Sequence, residues 1–137
     1  MTNYSVLKEG RIFLGSHEVG QQALTDETID QVIDLRVNGL QDAPNKYRHL
    51  PIGEGEQTIV SLKHNAQTIK AAYEAGETIY MHCGGGNGRA CVMASALLIE
   101  LGEADSVDEA IDQVQQIRPT ANVRPEMASV LRQMYEK

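Results

Sequence analysis

Residues 78–93 constrain this chain more than any other stretch. Thr78, Ile79, Tyr80 and Met81 make a short β-rich apolar run, and Ala90, Cys91, Val92 and Met93 open an apolar, helix-forming one. Between them, Gly84, Gly85, Gly86 and Gly88 put four glycines in five positions. A strand that runs through a glycine loop into a helix is an anion cradle. Its backbone N–H groups converge, and the helix N-terminus adds partial positive charge. Cys83 and Arg89 close the two ends of the loop, with five residues between them. That spacing sets a nucleophilic sulfur and a planar two-pronged oxyanion ligand on one small loop.

The remaining sequence reads as a scaffold for this loop. Tyr4 and Val6, then Ile12, Phe13 and Leu14, are short strand material turning at Gly10 and Gly15. Thr25, Asp26 and Glu27 look like the start of a short helix, a capping threonine followed by acids. Val32, Ile33, Asp34, Leu35 and Arg36 form a compact buried-strand pattern. Asn38, Gly39, Ala43, Pro44 and Asn45 are turn residues, and 47–52 form the next strand with Pro51 at its end.

A mobile loop follows at Gly53, Glu54, Gly55 and Glu56. Ile59, Leu62, Ala66, Ile69 and Tyr73 then recur at helical spacing until Gly76. Residues 78–82 predict a third interior strand, and 90–101 a central helix buried on most faces and ending at Gly102. Ser106 and Glu109 match a capping box, with Val107, Ala110, Ile111, Val114 and Ile117 as the stripe behind it. Arg118 and Pro119 end that helix, and a last one starts near Pro125. Strands alternating with helices predict an α/β fold: a mostly parallel sheet of four to five strands with helices on both faces.

With 137 residues, the chain reads as a single domain over 1–137, and 42% hydrophobic residues suffice for a core without metals or disulfides. The net charge of −7 argues against nucleic acid and anionic membrane surfaces, but leaves room for one small anionic substrate. Two cysteines make no disulfide framework, and no basic-then-apolar leader or membrane-length run is visible. These features predict a cytoplasmic protein that needs no cofactor.

Four readings compete for the loop. A dinucleotide loop requires glycine where Arg89 stands, and a nucleoside-triphosphate loop requires a Gly-Lys-Ser/Thr ending, so neither nucleotide pattern fits. A sulfurtransferase loop carrying a persulfide is usually one residue shorter. A plain strand-to-helix turn with Cys83 as a buried thiol would waste glycines, each of which costs roughly 0.5–1 kcal/mol of order relative to alanine. The fourth reading is a cysteine-dependent phosphatase. His82-Cys83-Gly84-Gly85-Gly86-Asn87-Gly88-Arg89 matches the His-Cys-x-x-Gly-x-x-Arg signature of the protein tyrosine phosphatases.

Outside the motif, Ile12 to Ser16, Val32 to Arg36, Tyr47 to Ile52, and Ile117, Arg118 and Pro119 before the last helix follow in family order. Over about its whole length the chain resembles a compact dual-specificity or atypical phosphatase. The resemblance implies that Cys83 attacks phosphorus to form a cysteinyl-phosphate, which water hydrolyses. It also implies that Arg89 and the backbone N–H groups of Gly84, Gly85, Gly86, Asn87, Gly88 and Arg89 bind the phosphate oxygens. A thiolate is the attacking species, and loop N–H donors, a helix N-terminus and an arginine all favour that form. His82 either orients the loop through a backbone hydrogen bond or is a satisfied core histidine.

Two positions depart from the family pattern. Ala90 stands where the family usually has a Ser or Thr that stabilises the departing thiolate. The family also supplies an aspartate as general acid from a loop about thirty residues before the cysteine, and here that loop carries only Glu54 and Glu56. Glu54 is the first candidate, Glu56 the second and Asp42 a distant third. Cys91 is either a small core residue or a partner for Cys83 on oxidation. The expected substrate is a phosphorylated protein or a small phosphomonoester. The loop has no lysine to favour polyphosphorylated inositols. The rival is an impaired, pseudophosphatase-like module that binds phosphate without turning it over. Nothing in the sequence fixes the oligomeric state.

Overall fold

The computed structural model describes residues 4–17, 20–38, 46–53, 55–84 and 87–136, with the side chains of 20–22 excepted. In chain order the elements are β1 (Ser5–Lys8), β2 (Ile12–Ser16), α1 (Gly20–Asp26), β3 (Gln31–Asp34), β4 (Tyr47–His49) and α2 (Gln57–Glu74). They continue with β5 (Ile79–Cys83), α3 (Arg89–Glu100), α4 (Val107–Ile117) and α5 (Pro125–Tyr135). The strands form one sheet in the order β1-β2-β5-β3-β4. β1 runs antiparallel to β2, and every other neighbouring pair is parallel. The hairpin arises because Gly10, at φ +69°, takes the left-handed conformation a tight turn demands. The α1 crossover leads from β2 to β3 and the α2 crossover from β4 to β5, which places β5 between β2 and β3.

Side chains alternate along each strand, so the sheet has two distinct faces. Ile12, Leu14, Ile33, Leu35, Ile79, Met81 and Cys83 point into the larger core, packed against α2, α3, α4 and α5. Tyr4, Phe13, Val32 and Tyr80 point the other way, against Ala23 of α1 and Ile29. The α3 helix is buried from Ala90 to Leu98 without a break, as its all-round apolar pattern predicts. Each large side chain it removes from water contributes roughly 1.5–3 kcal/mol. That packing fixes the helix whose N-terminus meets the glycine loop.

Three local expectations change. Gly15 lies inside β2 rather than at a turn, and a Cβ there would stand 2.5 Å from the Tyr80 hydroxyl, which donates to the Ser16 carbonyl at 2.7 Å. Thr25, Asp26 and Glu27 fall at the end of α1, not its start. Acids at a helix C-terminus are unfavourable on their own. Here the Tyr4 hydroxyl donates to Glu27 at 2.8 Å and approaches Asp26 at 3.4 Å, while Ala23 and Ile29 are fully packed below. Strand β4 is shorter than 47–52: the Leu50 N–H still donates to the Asp34 carbonyl at 2.9 Å, but the carbonyls of Leu50 and Pro51 turn to the buried Asn65 amide of α2. The capping signal before α4 holds, with the Glu109 N–H donating to the Ser106 hydroxyl at 3.1 Å.

Candidate functional site

β5 is the middle strand, and its carboxyl end delivers His82 and Cys83 to the edge of the sheet where parallel α/β folds place their ligands. Several backbone hydrogen bonds hold that edge. The His82 carbonyl accepts from the Leu35 N–H at 2.9 Å, and the Gly84 carbonyl accepts from the His17 N–H at 3.0 Å. Cys83 is 5% exposed, and its Sγ accepts the Ala90 N–H at 3.4 Å. That donor belongs to the first turn of α3, where backbone N–H groups have no partner within the helix. The sulfur therefore sits at the positive end of a buried helix. Ala90 lacks the family's hydroxyl but still directs its backbone at the sulfur.

A cleft of about 560 Å³ opens over this point. Cys83, Gly84, Asn87, Gly88 and Arg89 form its base. Gly53, Gly55 and Thr58 line it beside α2, and Asn122, Arg124, Glu126 and Met127 line it from the α4–α5 connection and the start of α5. Neither Gly84 nor Gly88 has a positive φ, and a Cβ added to either meets nothing within 4 Å. Packing thus does not demand glycine at these two positions. What glycine leaves open there is room beside the cleft. Gly85 and Gly86 lie outside the described residues.

Glu54 also lies outside the described residues, as does Asp42. Both chain neighbours of Glu54 line the cleft. Gly53 is tied down twice, its N–H donating to Ser61 Oγ at 2.8 Å and its carbonyl accepting from Thr58 Oγ1 at 2.9 Å. A Cβ on Gly53 would come within 2.8 Å of Gln57 Cβ, so glycine lets this segment lie close on α2. Glu56 occupies the N-cap position of α2, is exposed, and is not among the residues of the cleft.

His82 is 3% exposed, and its Nδ1 lies 3.3 Å from the Cys83 carbonyl oxygen. A carbonyl only accepts, so Nδ1 carries the proton in this contact. Burial lowers the His82 pKa, and Asp34, with its Oδ1 at 3.9 Å, pulls the other way without winning. The ring is neutral at pH 7, so its approach to Asp34 is not an ion pair. Asp34 is itself fully buried and satisfied from other directions. It accepts from Arg36 Nε at 2.9 Å, Arg36 Nη2 at 2.8 Å, the Arg36 N–H at 3.0 Å and the Tyr47 hydroxyl at 2.5 Å. Burial alone would raise its pKa, but these hydrogen bonds outweigh it and hold the carboxyl at about 2.

Cys91 is fully buried in the larger core, and burial pushes its thiol up to about 12. It packs as a small apolar residue. The α4–α5 connection holds what the sequence did not reveal. Arg118 and Thr120 both donate to Asn87 Oδ1, at 3.1 and 2.7 Å, and the Asn122 N–H donates to the Asn87 carbonyl at 2.6 Å. Arg124 and Glu126 then bring one charge of each sign to the cleft. The only local signal was the break at Arg118 and Pro119, which reads as a helix end.

Rat "Phosphatidylglycerophosphatase and protein-tyrosine phosphatase 1" is 28% identical over 83 residues, covering 61% of this chain and 42% of the relative. Pig "Cyclin-dependent kinase inhibitor 3" is 29% identical over 102 residues, covering 71% and 48%. The chain thus spans less than half the length of these curated relatives. Among solved structures, human DUSP28 superposes with a TM-score of 0.80 at 21% identity, covering 98% of this chain and 93% of that one, which is a likeness of fold. A family model described as "PTP-SAK: Swiss Army Knife protein, DSP-PTPase phosphatase domain" matches residues 20–136, from α1 to the end of α5. Because that match runs through the glycine loop and the other residues that line the cleft, the chain belongs to the DSP-PTPase phosphatase family.

Proposed function

We propose that this protein hydrolyses phosphomonoesters through a cysteinyl-phosphate on Cys83. The observation that carries the reading is the α3 N-terminus directed at sulfur, with the Ala90 N–H 3.4 Å from Cys83 Sγ, in a cleft that also contains Arg89. The thiolate attacks phosphorus, the phosphorus–oxygen ester bond breaks, and the leaving oxygen takes a proton from a carboxylic acid. Water then attacks the phosphoryl group, releasing orthophosphate and returning the thiolate. Arg89 spans two phosphate oxygens, and the N–H groups of Gly84, Gly85, Gly86, Asn87 and Gly88 take up charge as it moves to the equatorial oxygens.

Glu54 is the proposed acid, supported by the two glycines that flank it in the chain and line the cleft. Glu126 is the one carboxylate among the cleft's described residues and is the rival donor. On an aryl phosphate, Glu54→Gln should lower kcat roughly 10²-fold and remove the acidic-donor limb of the pH profile. Glu126→Gln should do neither. The reverse pattern would move the role to Glu126. Substrates are phosphorylated proteins or small phosphomonoesters, and a relative named for phosphatidylglycerophosphate keeps a phospholipid headgroup within that class.

A second reading has one residue in its favour. Ala90 offers no hydroxyl to the departing thiolate, so the loop could capture a phosphoryl group without releasing it. Turnover of para-nitrophenyl phosphate by the parent and by Cys83→Ser separates the two. Repeated turnover that the serine variant loses supports the hydrolase. Tight phosphopeptide binding by a parent with no turnover supports the binding module.

A further inference from the structure

We infer that residues 118–122 act as a strap that holds the phosphate loop in its binding shape, with Asn87 as the anchor. Three hydrogen bonds converge on this one loop residue, two on its side-chain oxygen and one on its carbonyl. The orientation of the Asn87 amide is fixed, because Arg118 Nε can only donate and must therefore face Oδ1. Arg118 also reaches back to Ser5 Oγ in β1 with its Nη1 at 3.2 Å, so the strap is pinned to the edge of the sheet as well as to the loop. Asn87 lies two residues before Arg89, and its carbonyl bond constrains the backbone that leads into α3.

The physical consequence concerns order. Backbone N–H groups bind an anion well only when they already converge, since a loop that must be ordered on binding loses that free energy from its affinity. The strap performs the ordering in advance. It acts through other groups and touches no reacting atom, so Asn87, Arg118 and Thr120 are positioning residues. The same connection carries Asn122 and Arg124 to the cleft and leads into α5, which brings Glu126 there, so the strap also fixes these residues relative to the loop.

Thr120 gives the cleanest test because it is exposed, and removing its hydroxyl leaves the fold intact. The inference rests on the phosphatase reading only for its ligand, so two readouts are needed. Orthophosphate affinity is measured by protection of Cys83 against alkylation, and loop order by hydrogen exchange of the amides from 84 to 89. Thr120→Val should weaken orthophosphate about fivefold and Asn87→Ala about tenfold, each with faster loop exchange. Thr120→Ser, which keeps the donor, should restore both. In the double variant the two losses should not add, because both remove the same bond. Parent-like exchange and affinity in Thr120→Val would overturn the strap. A parent that binds no orthophosphate would instead count against the phosphatase reading, and exchange would still decide the strap.

Discussion

The two ends of the sheet solve the same electrostatic problem in different ways. At the amino ends of β2 and β5, the carboxyl end of α2 presents carbonyl groups, and Arg11 covers them from within the chain. Its Nη2 donates to the Tyr73 and Glu77 carbonyls at 2.6 and 3.1 Å, and the guanidinium lies 4.3 Å above the Tyr73 ring. Gln31 and Asp30 then hold the Glu77 carboxylate and the Thr78 N–H. At the carboxyl ends, α3 presents N–H groups instead, and a cysteine sulfur meets them at the base of a cleft. One end matches a helix terminus with a cation that serves packing. The other matches a helix terminus with a cysteine sulfur and leaves open space above it.

That contrast predicts where function and stability should separate. Arg89→Ala should reduce kcat/KM on an aryl phosphate roughly 10²–10³-fold, with a smaller loss of thermal stability than Arg11→Met. A greater loss of stability in Arg89→Ala would blur the two ends. Arg11→Met should cost about 2 kcal/mol in urea unfolding by removing charged hydrogen bonds and a cation–π contact, with activity per folded molecule unchanged. Tyr47→Phe should cost about 1–2 kcal/mol, because the buried Asp34 carboxylate loses one donor but keeps Arg36.

The smallest effect is pH-dependent and separates His82 from Asp34. Asp34, with its pKa lowered, stabilises the fold above the unfolded carboxyl value of about 3.9 and loses that contribution as pH falls through about 2. His82, held neutral by burial, begins to cost stability as pH falls below the unfolded value of about 6.5. Between pH 7 and 5 only His82 of this pair should titrate. His82→Asn should therefore show a shallower fall in the urea midpoint over that interval than the parent. An identical slope would mean that the ring is not held neutral.

The sequence revealed the site's centre better than its surroundings, and for a physical reason. Cys83, Gly84, Gly88 and Arg89 fall within one short stretch, so the strand, loop and helix that organise them are local properties of residues 78–93. The parallel sheet followed from the alternation of short apolar runs with helical stripes. The misread elements depend on distant partners. Asp26 and Glu27 resemble a helix start until the Tyr4 hydroxyl binds them, and Gly15 resembles a turn until Tyr80 is seen to need its missing side chain. Asn87 was read as one of the phosphate-binding backbone positions, and its second attachment is invisible without residues some thirty positions further on. Glu126 gave no signal, since an acid in the first turn of a helix is common for dipole reasons alone.

Ala90 is where the central claim meets its most direct test. If Cys83 is the nucleophile and no hydroxyl assists its departure, the second chemical step is slowed and the covalent intermediate accumulates during turnover. Acid-quenching the enzyme with para-nitrophenyl phosphate and mapping the modified peptide by mass spectrometry measures this. The expected result is a phosphoryl group on Cys83, present in the parent at steady state, diminished in Ala90→Ser as turnover accelerates, and absent from Cys83→Ser. Sustained turnover with no phosphoryl group on Cys83 in any quench would contradict the mechanism.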